Sequence, residues 1–140
     1  MMKKLCDHPL YRYLNEQDIS KIECARHSHS YLPQELIISA GERTRDILCI
    51  DEGEVLVYIE SEDGKPLEIT RLPAGSLIGE MNFVMPTHRT AFVMAMGEVK
   101  VSSYRYHELT RILSKDYDLA GKLFAALNLQ MTSKLLALLG

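Results

Sequence analysis

Cysteine is scarce in this sequence of 140 residues: Cys6, Cys24 and Cys49 are widely spaced and form no Cys-x-x-Cys pair. An odd and scattered set excludes a disulfide framework and a zinc knuckle, so the thiols are expected to be buried or idle. Long apolar runs are missing too. Stretches such as Ala91–Met96 are the longest, whereas a membrane span needs about 20 apolar residues. The opening Met1-Met2-Lys3-Lys4 reaches Asp7 and His8 before any hydrophobic stretch develops. No secretory signal is read, and a cytoplasmic location is expected. Positive charge is not in excess: Lys plus Arg is 16, Asp plus Glu is 19, and the formal net charge is −3. That balance argues against a protein that coats DNA or RNA, while leaving room for one anion held at a local site. There is no internal repeat, Walker loop or nucleophile–base pair. The length accommodates one domain with a real core, and not a sensor together with a full output module.

What is present divides into three parts. Residues 1–30 read as a helical segment, with Leu10, Tyr11, Leu14, Ile19 and Ile22 at helical spacing and Asp18 placed to cap a second piece. Residues 31–106 read as short β runs: Leu36–Ser39, Asp46–Ile50, Glu54–Glu60, Leu67–Leu72, Thr90–Met96 and Val99–Tyr104. Turn residues interrupt them, and Asp63-Gly64 is the strongest hairpin signal. Residues 107–140 return to helix, a short piece around Leu109, Ile112 and Leu113 and a long one over Tyr117–Leu139. On the long helix Phe124, Leu127, Met131, Leu135 and Leu138 form a stripe, and Leu129 and Leu136 fall beside it. No charge occurs between Lys122 and Lys134. Such a helix needs a second surface, either the barrel or a partner copy.

One segment carries chemistry: Leu77-Ile78-Gly79-Glu80-Met81-Asn82-Phe83-Val84-Met85-Pro86-Thr87-His88-Arg89-Thr90-Ala91. It follows a β run and a Pro-Ala-Gly turn, has poor strand character, and ends where a strand begins. Gly79 allows close approach. A short helix from Glu80 would direct free backbone N–H groups outward. Arg89, ten residues after Gly79, can fork onto two phosphate oxygens. Glu80 fits a neutral hydroxyl such as a ribose 2′-OH. Carboxylate, arginine and helix start together describe a sugar-phosphate pocket.

Gly79-Glu80 followed by Arg89-Thr90-Ala91 resembles the phosphate-binding cassette of cyclic nucleotide-binding domains. The resemblance extends over nearly all of the chain from about Leu10, through Glu35–Ile38, Gly41-Glu42 and Ile47–Val55. It implies a mainly β fold with flanking α: an antiparallel, jelly-roll-like β-roll (a double-stranded β-helix) with short N-terminal helices, a cassette over 78–91 and two C-terminal helices. It also implies roles. Arg89 would grip the cyclic phosphate, Glu80 the ribose 2′-OH with the Gly79 backbone beside it, and the amides of Met81 and Asn82 would face the phosphate. Thr90 would sit by phosphate or base, and Ala91 would give a backbone contact. Asn82 stands where the family usually has a small residue, His88 where it often has Pro, and Ile78 where it often has Phe. Thr132-Ser133 is similar to a base-contacting Thr-Ser pair of the family but falls two to three residues early.

His27-x-His29 with Glu35 invites a cupin-type metal reading, but the spacing to Glu35 is about twice what that motif needs, and no metal is expected. Met81, Met85, Met94 and Met96 are expected as core filler. The expectation is therefore a single non-catalytic regulatory domain. It binds cyclic AMP or cyclic GMP, needs no metal cofactor, and signals through its C-terminal helix, which acts as a lid. The alternatives are the same fold as a ligand-free protein-interaction or dimerisation module and, further off, a cupin-type metal enzyme. Expected partners are the nucleotide, a homodimer mate through the C-terminal helix, and an unidentified effector protein or missing effector domain. No direct DNA binding is expected, because the chain ends at Gly140 before any winged helix-turn-helix.

Overall fold

A run of strand residues that are all buried needs cover on both faces, because successive side chains point opposite ways. The first four residues of the strand Ile47–Glu52 are such a stretch, with Ile47, Leu48, Cys49 and Ile50 all buried, while Asp51 and Glu52 are exposed. In the computed structural model, which describes residues 8–139, it sits between two packed layers. A 3-10 turn at Pro9–Tyr11 leads into α1 (Glu16–Glu23), β1 (Arg26–Tyr31), β2 (Leu36–Ile38), β3 (Ile47–Glu52), β4 (Val55–Glu60) and β5 (Pro66–Leu72). Then follow β6 (Leu77–Ile78), α2 (Glu80–Val84), β7 (Phe92–Ala95), β8 (Val99–Tyr104), α3 (Tyr106–Leu113) and α4 (Tyr117–Leu139). The strands form two four-stranded sheets, ordered β1-β8-β3-β6 and β2-β7-β4-β5, with every pairing antiparallel.

Leu48, Ile50, Val55, Ile78, Val93 and Val101 draw the two sheets together into one core. Ile47, Cys49, Leu77 and Tyr104, from the opposite faces of β3, β6 and β8, pack with Leu10, Ile22, Leu109, Leu119 and Leu123 into a second core under the helices. This is the antiparallel β-roll with flanking helices that the sequence implies. Each of the six expected β runs coincides with a strand, Val99–Tyr104 to the residue, and Asp63-Gly64 lies in the β4–β5 turn. Among the described residues, no helix is long and apolar enough to cross a membrane.

The structure corrects several expectations. The helical segment expected over 1–30 stops at Glu23, and Arg26–Tyr31 is a strand paired along its length with β8. Its sequence, Arg-His-Ser-His-Ser-Tyr, carries no apolar alternation because it is an edge strand whose central residues are exposed. Asn15, not Asp18, is the N-cap of α1; Asp18 completes the capping box from the third position. Asp18 also meets Lys122 of α4 at 2.9 Å. On α4 the buried seam is Leu119, Leu123 and Leu127, while Phe124 and Leu135 of the expected stripe are exposed. The Leu138 side chain and Cys6 lie outside the described residues. Cys24 and Cys49 are free thiols, the first exposed and the second buried.

A buried polar chain pins the N-terminal turn to β8. His8 Nδ1 accepts from the Leu10 N–H at 3.2 Å, so the neutral ring carries its proton on Nε2. Nε2 then donates to the Tyr104 hydroxyl at 3.2 Å. Tyr104 donates to Tyr11 at 2.8 Å, and Tyr11 donates to the Glu23 carboxylate. Burial drives His8 down to about 4 and pushes both phenols up.

Candidate functional site

Gly79 joins β6 to α2 with φ +83°, the left-handed region that disfavours residues with a Cβ. A Cβ at this position would lie 2.2 Å from Arg89 Nη1 and 3.0 Å from the Asp46 carbonyl oxygen. The backbone conformation and the lack of space therefore require glycine independently. As the first residues of a helix, Glu80, Met81 and Asn82 have N–H groups without an acceptor inside it.

Arg89 is 4% exposed, and each of its three side-chain nitrogens donates a hydrogen bond. Its Nε donates to Thr44 Oγ1 at 3.0 Å, Nη1 to Asn82 Oδ1 at 3.0 Å and Nη2 to the Asp46 carbonyl at 2.9 Å. Its backbone is held as well, N–H to the Glu42 carbonyl at 2.7 Å and carbonyl from the Gly41 N–H at 2.8 Å. The loop between β2 and β3 is thus the clamp that orients the arginine. Burial lowers the pKa of the guanidinium from its ordinary value, opposed by the carboxylates of Asp46, Glu42 and Glu80.

Glu80 is 5% exposed, and both its oxygens accept from Lys134 Nζ of α4, at 2.8 and 3.0 Å. The same ammonium donates to the Leu77 carbonyl at 2.7 Å. Asn82 Nδ2 donates to the carbonyls of Thr87 and His88, both at 3.1 Å, and so ties the loop after α2 back onto the helix. Arg45 holds the other end of α2: Nε donates to the Asn82 carbonyl at 3.0 Å and Nη2 to the Phe83 carbonyl at 2.8 Å. Its guanidinium lies 3.9 Å over the Tyr106 ring.

Beside these groups opens a cavity of about 340 Å³, within the range of small-molecule sites. Ile38, Val57, Ile69, Leu72, Ile78 and Val93 give it apolar walls, and Thr70, Arg89, Thr90, Ala91, Lys134 and Ala137 complete them. Of the residues singled out from sequence, Gly79, Asn82 and Arg89 are brought into contact, Glu80 lies buried beside them, and Thr90 and Ala91 line the cavity. Met81 is exposed and outside the wall, and Met85 is exposed rather than core filler, because α2 turns that side outward. Thr132 and Ser133 are exposed; α4 contributes Lys134 and Ala137 instead. Sequence reasoning did not single out Thr44, Arg45, Asp46 or Lys134, whose meaning lies in partners far along the chain.

The His-x-His pair is not assembled with Glu35. His27 meets Glu108 of α3 at 3.0 Å, and the Glu35 carboxylate accepts from the Leu32 N–H. Among the described residues the metal-ligating atoms that converge are those of His8, Cys49 and Asp51, within 4.8 Å of one another. Each has its own role: His8 in the polar chain, Asp51 accepting from Ser102 Oγ at 2.5 Å, and Cys49 with its thiol pushed up to about 12 by burial and Asp51.

The family model of the cyclic nucleotide-binding domain matches residues 28–116. The cAMP-activated global transcriptional regulator CRP of Escherichia coli O6:H1 is 31% identical over 111 residues, covering 77% of this chain and 53% of the relative. The chain thus spans about half the length of the curated relatives it matches. A cyclic nucleotide-binding domain from Methylobacillus flagellatus superposes with a TM-score of 0.87 at 17% identity, over 95% of this chain and 77% of that one. The regulatory subunit of a cAMP-independent protein kinase A from Trypanosoma brucei superposes at 0.72 with 22% identity, over 86% of this chain and 44% of the other. The fold is shared with both structures, and with more than half of its length matched by the family model the chain belongs to the cyclic nucleotide-binding domain family.

Proposed function

We propose that this domain is a non-catalytic regulatory module that binds cyclic AMP or cyclic GMP in its 78–91 cassette and passes occupancy to α4. The observation that carries the reading is Arg89: a buried guanidinium at the wall of an apolar cavity, oriented by Thr44 and Asp46 and packed against Gly79, where there is no room for a side chain. In this reading the cyclic phosphate takes Arg89 Nη1 from Asn82 and meets the amides of Met81 and Asn82. The ribose 2′-OH addresses Glu80 beside the Gly79 backbone. Ala91 gives its backbone, Thr90 stands at the phosphate or the base, and the base occupies the apolar part of the cavity. Effector action belongs to another chain or to a further part of this one. The exposed Phe124, Leu135 and Leu136 of α4 serve a second copy.

The internal partners of Arg89 and Glu80 favour one competing reading, a ligand-free interaction module whose polar groups are satisfied without a nucleotide. A thermal-shift screen separates the two. A ligand at 100 times its Kd adds about 2.7 kcal/mol of stability, a clear rise in Tm. Absence of any rise with millimolar cyclic AMP or cyclic GMP sinks the nucleotide reading.

A further inference from the structure

We propose that Arg45 is a positioning residue of the nucleotide site and that Tyr106 is its seat, so that an aromatic ring outside the cavity sets nucleotide affinity. The inference rests on the nucleotide reading above and adds the residue pair that controls it. Helix α2 spans only Glu80–Val84, too short to hold its shape unaided. The carbonyl of Asn82 has no donor within the helix, because the residue four ahead is Pro86, which lacks an N–H. Arg45 supplies one. Its Nε donates to that carbonyl at 3.0 Å, and its Nη2 donates to the Phe83 carbonyl at 2.8 Å. On the other side, Oδ1 of Asn82 accepts from Arg89 Nη1 at 3.0 Å. Residue 82 is therefore held between two guanidiniums, and a shift of α2 moves a partner of Arg89.

What fixes Arg45 lies on the helical side of the roll. Its guanidinium carbon stands 3.9 Å from the centroid of the Tyr106 ring, and Tyr106 packs against the core under the helices. The Tyr106 N–H donates to Asp46 Oδ1 at 3.0 Å, while the Asp46 carbonyl accepts from Arg89 Nη2 at 2.9 Å. Two adjacent residues thus both grip the start of α3, Arg45 reaching on to α2 and Asp46 to Arg89. Neither Arg45 nor Tyr106 lines the cavity, so their effect on a nucleotide passes through α2 and Arg89. The chemistry at both positions is specific. A lysine ammonium neither forks onto two carbonyls nor stacks as a plane, and an aliphatic side chain at 106 gives the guanidinium no ring face.

Calorimetry on the intact chain, with cyclic AMP and cyclic GMP as probes and urea melts to verify folding, tests this. Arg45→Gln and Arg45→Lys should each lose about tenfold in affinity, the equivalent of about 1.4 kcal/mol; the lysine variant keeps the charge and carries the test if the glutamine variant does not fold. Tyr106→Leu should lose a similar factor, and Tyr106→Phe, which keeps the ring face, should restore wild-type affinity. Tyr106 also meets Phe83 edge-on at 5.4 Å, so Tyr106→Leu is repeated in the Arg45→Gln or Arg45→Lys background. There it should cost nothing further, because the guanidinium it seats is gone. A second full loss, additive with the first, overturns Tyr106 as the seat, as does a loss in Tyr106→Phe equal to that in Tyr106→Leu. Wild-type affinity in both Arg45 variants, while Arg89→Ala has lost binding, overturns the positioning role and leaves the nucleotide reading standing. Binding of neither nucleotide by wild type overturns both.

Discussion

Arg89 Nη1 occupies the space that a side chain on residue 79 would need, 2.2 Å from the position of its Cβ. Gly79→Ala must therefore move the guanidinium and also force alanine into φ +83°, which by itself costs about 1–2 kcal/mol. Calorimetry and thermal melts together should show a folded variant with a lowered Tm and nucleotide affinity reduced at least tenfold. Retention of wild-type affinity would show that Arg89 does not need its present position to hold the ligand.

Arg89 itself should be needed for binding through its fork and not only through its charge. Removal of a charge-assisted contact costs about 1.5–3 kcal/mol or more. Arg89→Ala should accordingly lose measurable nucleotide binding, and Arg89→Lys should recover little of it, since a lysine ammonium cannot reproduce the planar guanidinium. Arg89→Ala also leaves the Asp46 carbonyl and Thr44 hydroxyl without their donors, so both variants are compared by urea melts. Tight binding by Arg89→Ala is the result that refutes the site.

The cassette was legible because its logic is local. Gly79, Glu80, Arg89 and Thr90 lie within one loop-helix-loop, and the spacing between glycine and arginine sets their meeting. The residues that orient them are not local. Thr44 and Asp46 reach Arg89 across more than forty positions, and Lys134 reaches Glu80 across 54. Neither relation leaves a trace in periodicity or composition, and Lys134 reads from sequence only as the end of an uncharged stretch. The same division holds for the strands. Apolar and β-branched runs such as β3, β4 and β8 announce themselves, whereas β1, polar and at a sheet edge, has no pattern to read and β6, two residues long, is too short to carry one.

Self-association through α4 should be visible in solution. Phe124 and Leu135, three turns apart on one stripe of α4, are exposed at 43% and 56%, and Leu136 beside that stripe at 61%. An interface around a two-fold axis uses the same patch on both copies, and a single helix face can meet that demand. Light scattering should give the mass of a dimer for wild type and of a monomer for Leu135→Gln/Leu136→Gln. A monomeric wild type at working concentration would leave α4 to the roll alone.

Acid should weaken the fold through His8. Its imidazole is buried and neutral, with a pKa lowered by burial to about 4 from an unperturbed 6.5. Above 6.5 the ring is neutral in both folded and unfolded chains and contributes no pH dependence. As pH falls below 6.5 the unfolded chain takes the proton first, so stability declines progressively and the loss is complete near pH 4. A gap of that size is worth on the order of 3 kcal/mol. The protonated ring would also carry a proton on Nδ1, facing the Leu10 N–H it now accepts from, and the chain through Tyr104 and Tyr11 would lose its end. Urea melts of wild type between pH 7.5 and 4 should show that fall. His8→Gln, starting from a lower plateau, should show a shallower one; identical slopes would place the acid sensitivity elsewhere.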